Sequence, residues 1–131
     1  MRYLGIDYGM KKIGIALGDD ASRIATPIGV IANEGEETVM DAFRVLIVEE
    51  GIEGFVVGVP ERLGQKASPQ KQKNIDFAER VKEVFNLPVK MVNEQFTSVE
   101  SRRLQAESGS VVEEDAIAAM LILQEYLDHL S

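Results

Sequence analysis

The run Gly54-Phe55-Val56-Val57-Gly58-Val59 constrains the fold of this chain more than any other segment. Six residues without one polar side chain read as a strand covered on both faces. Such strands sit inside parallel sheets with helices packed above and below. The flanking sequence agrees. Residues 33–50 carry Val39, Phe43, Leu46 and Ile47 on one helical stripe, and Gly51 follows as a stop. Residues 70–86 set Ile75, Ala78, Val81 and Phe85 at helical spacing, and residues 88–93 read as a further strand. Strand–helix–strand units of this kind require parallel pairing through right-handed crossovers.

The chain opens differently. Residues 2–7 and 12–18 read as two strands joined by the short link Tyr8-Gly9-Met10-Lys11, which suits a hairpin. The second strand alternates Ile13, Ile15 and Leu17 with the small Gly14 and Ala16. Residues 24–31 form a third strand, and Pro27, which lacks a donor, places it at a sheet edge. Thr97-Ser98-Val99-Glu100 matches a capping box that opens a short helix to about residue 107. Ser110-Val111-Val112-Glu113 is a second such box ahead of a final helix over 113–130. The expected fold is one α/β domain, residues 1–131. Its mixed five-stranded sheet has three antiparallel then two parallel strands, flanked by about four helices.

Composition narrows the setting. A chain of 131 residues that is 45% hydrophobic and 27% charged is an ordinary globular domain with enough core to fold unaided. No apolar run approaches the ~20 residues of a membrane helix, so no membrane association is expected. The opening residues run straight into a strand pattern, so no signal peptide is expected either. The absence of cysteine excludes disulfides and thiolate metal sites and fits a cytoplasmic location. A net charge of −8 argues against tight, non-specific DNA binding. A site built on carboxylates must itself carry acids, so charge alone decides little. Basic residues also cluster locally: residues 61–73 hold Arg62, Lys66, Lys71 and Lys73 against Glu61 alone.

In an open α/β sheet, sites gather beyond the carboxyl ends of the parallel strands. Asp7 ends the first strand, Gly58-Val59-Pro60 ends the fourth, and Glu94 follows the fifth. Asp115, at the start of the last helix, joins them if that helix packs across the sheet. Three carboxylates with no His or Cys favour Mg²⁺ or Mn²⁺ over zinc. Each residue alone has a plainer reading. Asp7 suits an Asx turn before Gly9 about as well as a site. Glu94 reads as a solvated loop residue, and Asp115 as a first-turn acid favoured by the helix dipole, like Glu113 and Glu114. His129 lies among the last residues and is given no catalytic role. The spacing of Gly5, Gly9, Gly14 and Gly18 is not a dinucleotide fingerprint, because it leads into a strand and not a helix.

Taken together, the segments resemble a known family. Gly5-Ile6-Asp7-Tyr8-Gly9 with Lys12-Ile13-Gly14-Ile15-Ala16 is similar to the opening of the YqgF family, also called RuvX. So are Gly58-Val59-Pro60, the stretch Glu94 to Glu100, and Asp115-Ala116-Ile117-Ala118-Ala119 followed by Ile122-Leu123-Gln124. The matches run in the family's order along nearly the whole chain. The resemblance implies an RNase H-like fold related to Holliday-junction resolvases. It also implies a nuclease that processes the 5′ end of pre-16S ribosomal RNA, with Asp7, Glu94 and Asp115 as catalytic, metal-binding acids. On this reading Mg²⁺ or Mn²⁺ serves two-metal phosphodiester hydrolysis. Lys11, Lys12, Arg62, Lys66, Arg102 and Arg103 are then candidates for phosphate contact, and structured RNA or branched DNA is the partner of a monomer or weak homodimer.

The sequence departs from the family at three places. The usual Asp-Glu-Arg is Asn93-Glu94-Gln95. Lys12 replaces a common Arg, keeping charge but not bidentate phosphate geometry. The loop before the last helix, often lysine-rich in the family, has no base from Ser108 to Glu114. Two competing readings follow: a resolvase-like DNA endonuclease acting as a symmetric dimer, and a nucleic-acid-binding module with little turnover. A third compares the opening with the phosphate motif of actin-like kinases. One domain supplies only half of such a nucleotide cleft, which ranks that reading low.

Overall fold

A computed structural model describes residues 1–60, 69–93 and 113–130. It contains β1 (Arg2–Tyr8), β2 (Lys12–Asp19), β3 (Ala25–Ala32), α1 (Glu36–Glu50), β4 (Gly54–Val59), α2 (Pro69–Phe85), β5 (Val89–Asn93) and α3 (Glu114–Asp128). The strands form one sheet in the order β3-β2-β1-β4-β5. β1 pairs antiparallel with β2, and β2 with β3, while β4 runs parallel to both β1 and β5. The mixed five-stranded sheet is therefore the one expected. Three helices lie among the described residues, where about four were expected; the short helix expected over 97–107 lies outside those residues, as does most of the loop over 60–69.

The sheet is covered on both faces, and strand alternation decides what meets each face. Leu4, Ile6, Ile13, Ile15, Phe55 and Val57 point into the larger core beneath α1 and α2. There they meet Val39, Phe43, Phe77 and Val81, and the Phe43 ring lies within 6.5 Å of Phe55, Phe77 and Phe85. Tyr3, Ala16 and Val56 point the other way, against Ala119, Ile122, Leu123 and Leu127 of α3. All six residues of β4 are buried, as its apolar run requires.

Local signals explain the ends of these elements. Gly51 closes α1 at φ 65°, a left-handed cap that a side chain would disfavour. Pro27 does lie on an edge strand. The β2–β3 register shifts beside it, between Ile15 and Ala16, and Gly29 turns to φ 152° there. Two starts differ from expectation. Helix α1 begins at Glu36 behind Gly35, not at Asn33. Asn33 instead braces the β1–β2 turn, its Nδ2 donating to the Gly9 carbonyl at 2.9 Å and its backbone N–H to Lys11 at 2.9 Å. Helix α3 begins at Glu114 with Glu113 as its N-cap, so Glu113 is not the third helical residue of a capping box. Its side chain reaches Lys12 instead.

Two polar groups hold strand ends. Asn74 is fully buried in α2, and its Nδ2 donates to the Gly58 carbonyl at 2.9 Å while its Oδ1 accepts from Gln70 at 2.6 Å. Asn74→Ala strands that carbonyl, so thermal unfolding should show a loss of about 1–3 kcal/mol. At the β2–β3 turn, Asp19 Oδ1 accepts from the backbone N–H groups of Ser22 at 2.6 Å and Ala21 at 2.9 Å. These bonds, that of Ser22 foremost, hold its carboxyl below the ordinary carboxylate range. A depressed folded pKa stabilises above the unfolded value and is lost as pH falls through the folded one. Asp19→Ala should therefore lower the melting temperature at pH 7. The gap to the parent should close below about pH 4, in the range where carboxylates titrate.

Candidate active site

Asp7 lies one residue before the end of β1, on the same face as Tyr3 and Gly5, and is half-buried. That face is the one α3 covers. Across the antiparallel ladder Asp7 stands opposite Gly14, and Gly5 opposite Ala16. Gly14 has no side chain because the backbone of α3 occupies its place. A Cβ built on Gly14 would fall 1.9 Å from the Asp115 carbonyl oxygen and 2.3 Å from its carbonyl carbon. A Cβ on Gly5 would likewise fall 2.9 Å from the Ala119 carbonyl oxygen and 2.7 Å from Leu123 Cβ.

These contacts define how α3 lies. Asp115, Ala119, Leu123 and Leu127 recur every four residues and form one ridge along the helix. The ridge crosses Gly14, Gly5 and Gly18 in turn. Two strand residues advance about 6.6 Å and one helical turn about 5.4 Å. A helix with Ala119 seated on Gly5 therefore brings Asp115 level with Asp7. Directly opposed residues of an antiparallel pair have Cβ positions about 5 Å apart, and in this pair the Asp115 backbone fills the side-chain space facing Asp7. The Asp115 backbone is thus seated on the glycine that stands opposite Asp7.

Their surroundings are charged. The first turn of α3 carries Glu114 and Asp115 behind Glu113. Lys12, at the start of β2, places its Nζ 3.4 Å from Glu113 Oε2, with both side chains more than half exposed. The Asp115 carboxyl is raised above the ordinary carboxylate range, chiefly by burial; Lys12 opposes the shift, and Glu114 and Glu113 add to it. Asp7 and Asp115 are hard oxygen donors in a negative, partly desolvated setting, which fits a divalent cation of the Mg²⁺ or Mn²⁺ type. Among the described residues no group of three or more acidic or histidine side chains forms a metal cage. Glu94 lies outside those residues, as do Arg62, Lys66, Arg102 and Arg103. β5 ends at Asn93, paired with Val59, at the same sheet edge as Asp7. Lys11 and Lys12 are exposed at the β1–β2 turn. His129 caps the far end of α3, exposed and bonded to the Glu125 carbonyl at 2.8 Å, away from the acids.

Gly14 is the residue whose importance sequence reading understated, although its signal lay in the small residues alternating along β2. Gly14→Ala should displace the first turn of α3, because the added methyl meets backbone and no rotamer change relieves it. The expected cost is about 3 kcal/mol, read as a melting temperature lowered by about 10 °C.

Comparison with known proteins identifies the family. The family model described as RuvX, Holliday junction resolvase, matches residues 1–129. A Dictyoglomus turgidum protein is 39% identical over 138 aligned positions, covering 100% of this chain and 96% of its own length. A Streptococcus thermophilus protein is 33% identical, covering 99% of each chain. Both bear the name "Putative pre-16S rRNA nuclease". Among solved structures, Thermus thermophilus RuvC in complex with a Holliday junction substrate superposes with a TM-score of 0.63 at 12% identity, covering 97% of this chain and 94% of that one. The fowlpox virus Holliday junction resolvase superposes at 0.62 and 14% identity, covering 100% of both chains. Those two likenesses establish a resolvase-type, RNase H-like fold. The full-length family match and the relatives above 30% identity establish more: the chain belongs to the RuvX family of Holliday-junction-resolvase-like nucleases.

Proposed function

We propose that the chain is a Mg²⁺- or Mn²⁺-dependent nuclease that hydrolyses phosphodiester bonds in structured RNA, and that it trims the 5′ end of pre-16S ribosomal RNA in the cytoplasm. The observation that carries this reading is the seating of the Asp115 backbone on Gly14, opposite Asp7. That contact seats the start of α3 opposite Asp7 at the carboxyl edge of the sheet. The names of the full-length relatives support RNA as substrate.

Asp7 and Asp115, with Glu94 as the third acid, would hold the metal. When bound, a divalent pair supplies an activated water and neutralises charge on the leaving oxygen. The protein's own part is orientation. Strand β1 carries Asp7, and the helix ridge seats the Asp115 backbone on Gly14 opposite it. Lys12 tempers the negative field at the helix start without entering the donor set. Lys11 and Lys12 are placed to meet backbone phosphate beside Asp7, and Arg62, Lys66, Arg102 and Arg103 remain candidates for more distant phosphates. Cleavage of branched DNA is the second reading, favoured by the family's description as a resolvase. It requires two sites on a symmetric dimer.

Asp7→Asn keeps the shape of the side chain and removes its charge. Cleavage of a pre-16S RNA fragment in Mn²⁺ should fall at least ~100-fold, with an unchanged circular dichroism spectrum. A folded Asp7→Asn protein that cuts at the parent's rate would overturn the assignment. The same assay on a four-way DNA junction separates the two substrates.

A further inference from the structure

A cleft of about 260 Å³ opens at the carboxyl end of β1 on the face of the sheet opposite Asp7. Its apolar wall is Tyr8, Val39 and Phe77, and the Tyr8 and Phe77 rings stack at 4.2 Å with their planes 22° apart. Asn33, fixed by its bond to the Gly9 carbonyl, adds an amide to the lining. Two cations and two anions complete it: Lys73 and Arg80 against Glu36 and Asp76. Arg80 is already engaged, to Glu36 at 2.9 Å across the cleft and to Glu83 at 3.2 Å.

We infer that this cleft receives one unstacked nucleobase of the strand cut at Asp7. The inference rests on the nuclease reading above and adds a subsite to it. The lining has no net charge, so it does not select a phosphate anion. Aromatic surface with balanced donors and acceptors suits a neutral, flat, hydrogen-bonding heterocycle. The volume lies just below the about 300–1,000 Å³ of drug-sized pockets, which accommodates one base and not a dinucleotide. Position supplies the link to the strand. Tyr8 follows Asp7 directly, and Lys73 reaches the β1–β2 turn, its Nζ 3.7 Å from Met10 Sδ. Met10 is 56% exposed and is followed by exposed Lys11 and Lys12. A nucleotide whose phosphate meets these lysines has its base beside the cleft mouth. Extrusion of a base costs least in a single strand, a loop or a mismatch, so the subsite would favour unpaired nucleotides next to the cut.

The test is metal-free and independent of turnover. Adenosine and uridine 5′-monophosphates are titrated into the full chain and followed by NMR, with ribose 5-phosphate as the base-free control. The nucleotides should shift Tyr8, Asn33 and Phe77 resonances, and ribose 5-phosphate should leave them in place. Asp76→Tyr, at an exposed position, should narrow the cleft and weaken nucleotide binding about tenfold with an unchanged melting temperature. Tyr8→Leu should weaken it comparably. Asp7→Asn should bind as the parent does, so loss of cleavage and loss of base binding report separately. Nucleotides that shift none of the three residues, or ribose 5-phosphate that shifts them equally, would overturn the subsite whatever the cleavage assay shows.

Discussion

The backbone of α3 lies directly on the side-chain-free positions of β1 and β2, and the arrangement of the candidate site depends on that contact. A helix normally stands off a sheet by the length of the intervening side chains. At Gly14 and Gly5 there are none, so the Asp115 and Ala119 carbonyls reach the strands themselves. The helix can then slide or rotate very little, because movement drives backbone into backbone. The first turn of α3, which carries Asp115, is thereby held at the strand position opposite Asp7. Gln124 secures the other end, accepting from the Ala25 N–H at 3.0 Å and donating to the Arg23 carbonyl at 2.8 Å.

The two faces of the sheet divide the work. The face under α1 and α2 carries the rings of Tyr8, Phe43, Phe55, Phe77 and Phe85 and most of the large aliphatic side chains. The face under α3 trades bulk for closeness, using glycine and alanine where the helix approaches. Period-two alternation makes this possible, since neighbouring residues such as Ile6 and Asp7 serve opposite faces. The same alternation sends Tyr8 to the aromatic side, next to Phe77. One strand end thus offers an acid on one face and an aromatic ring on the other.

Charge follows a similar division. Lys11, Lys12 and Lys73 gather around the β1–β2 turn, where Lys12 pairs with Glu113 and acts on Asp115. The ion pair of Lys12 with Glu113 is exposed and worth little to stability. Its consequence is electrostatic: it moderates the field in which Asp115 must ionise.

Much of the architecture was legible without coordinates, because it rests on local periodicity. The apolar run of β4 implied cover on both faces, the alternation of β1 and β2 implied a hairpin, and Pro27 marked an edge. Other features depend on partners distant in the chain. Asn33 has the composition of a helix start and instead braces a turn, because Gly9 stands 24 residues away. Glu113 fits a capping box by spacing, yet Lys12 from another element takes its side chain. Asn74 sits among polar residues of α2 and is nonetheless buried on a β4 carbonyl. Sequence determined the elements and their order, since each is written in spacing and residue type. Tertiary structure alone decided the face α3 covers, its seating on Gly14 and the cleft beside Tyr8, because close approach between distant segments leaves no periodic trace.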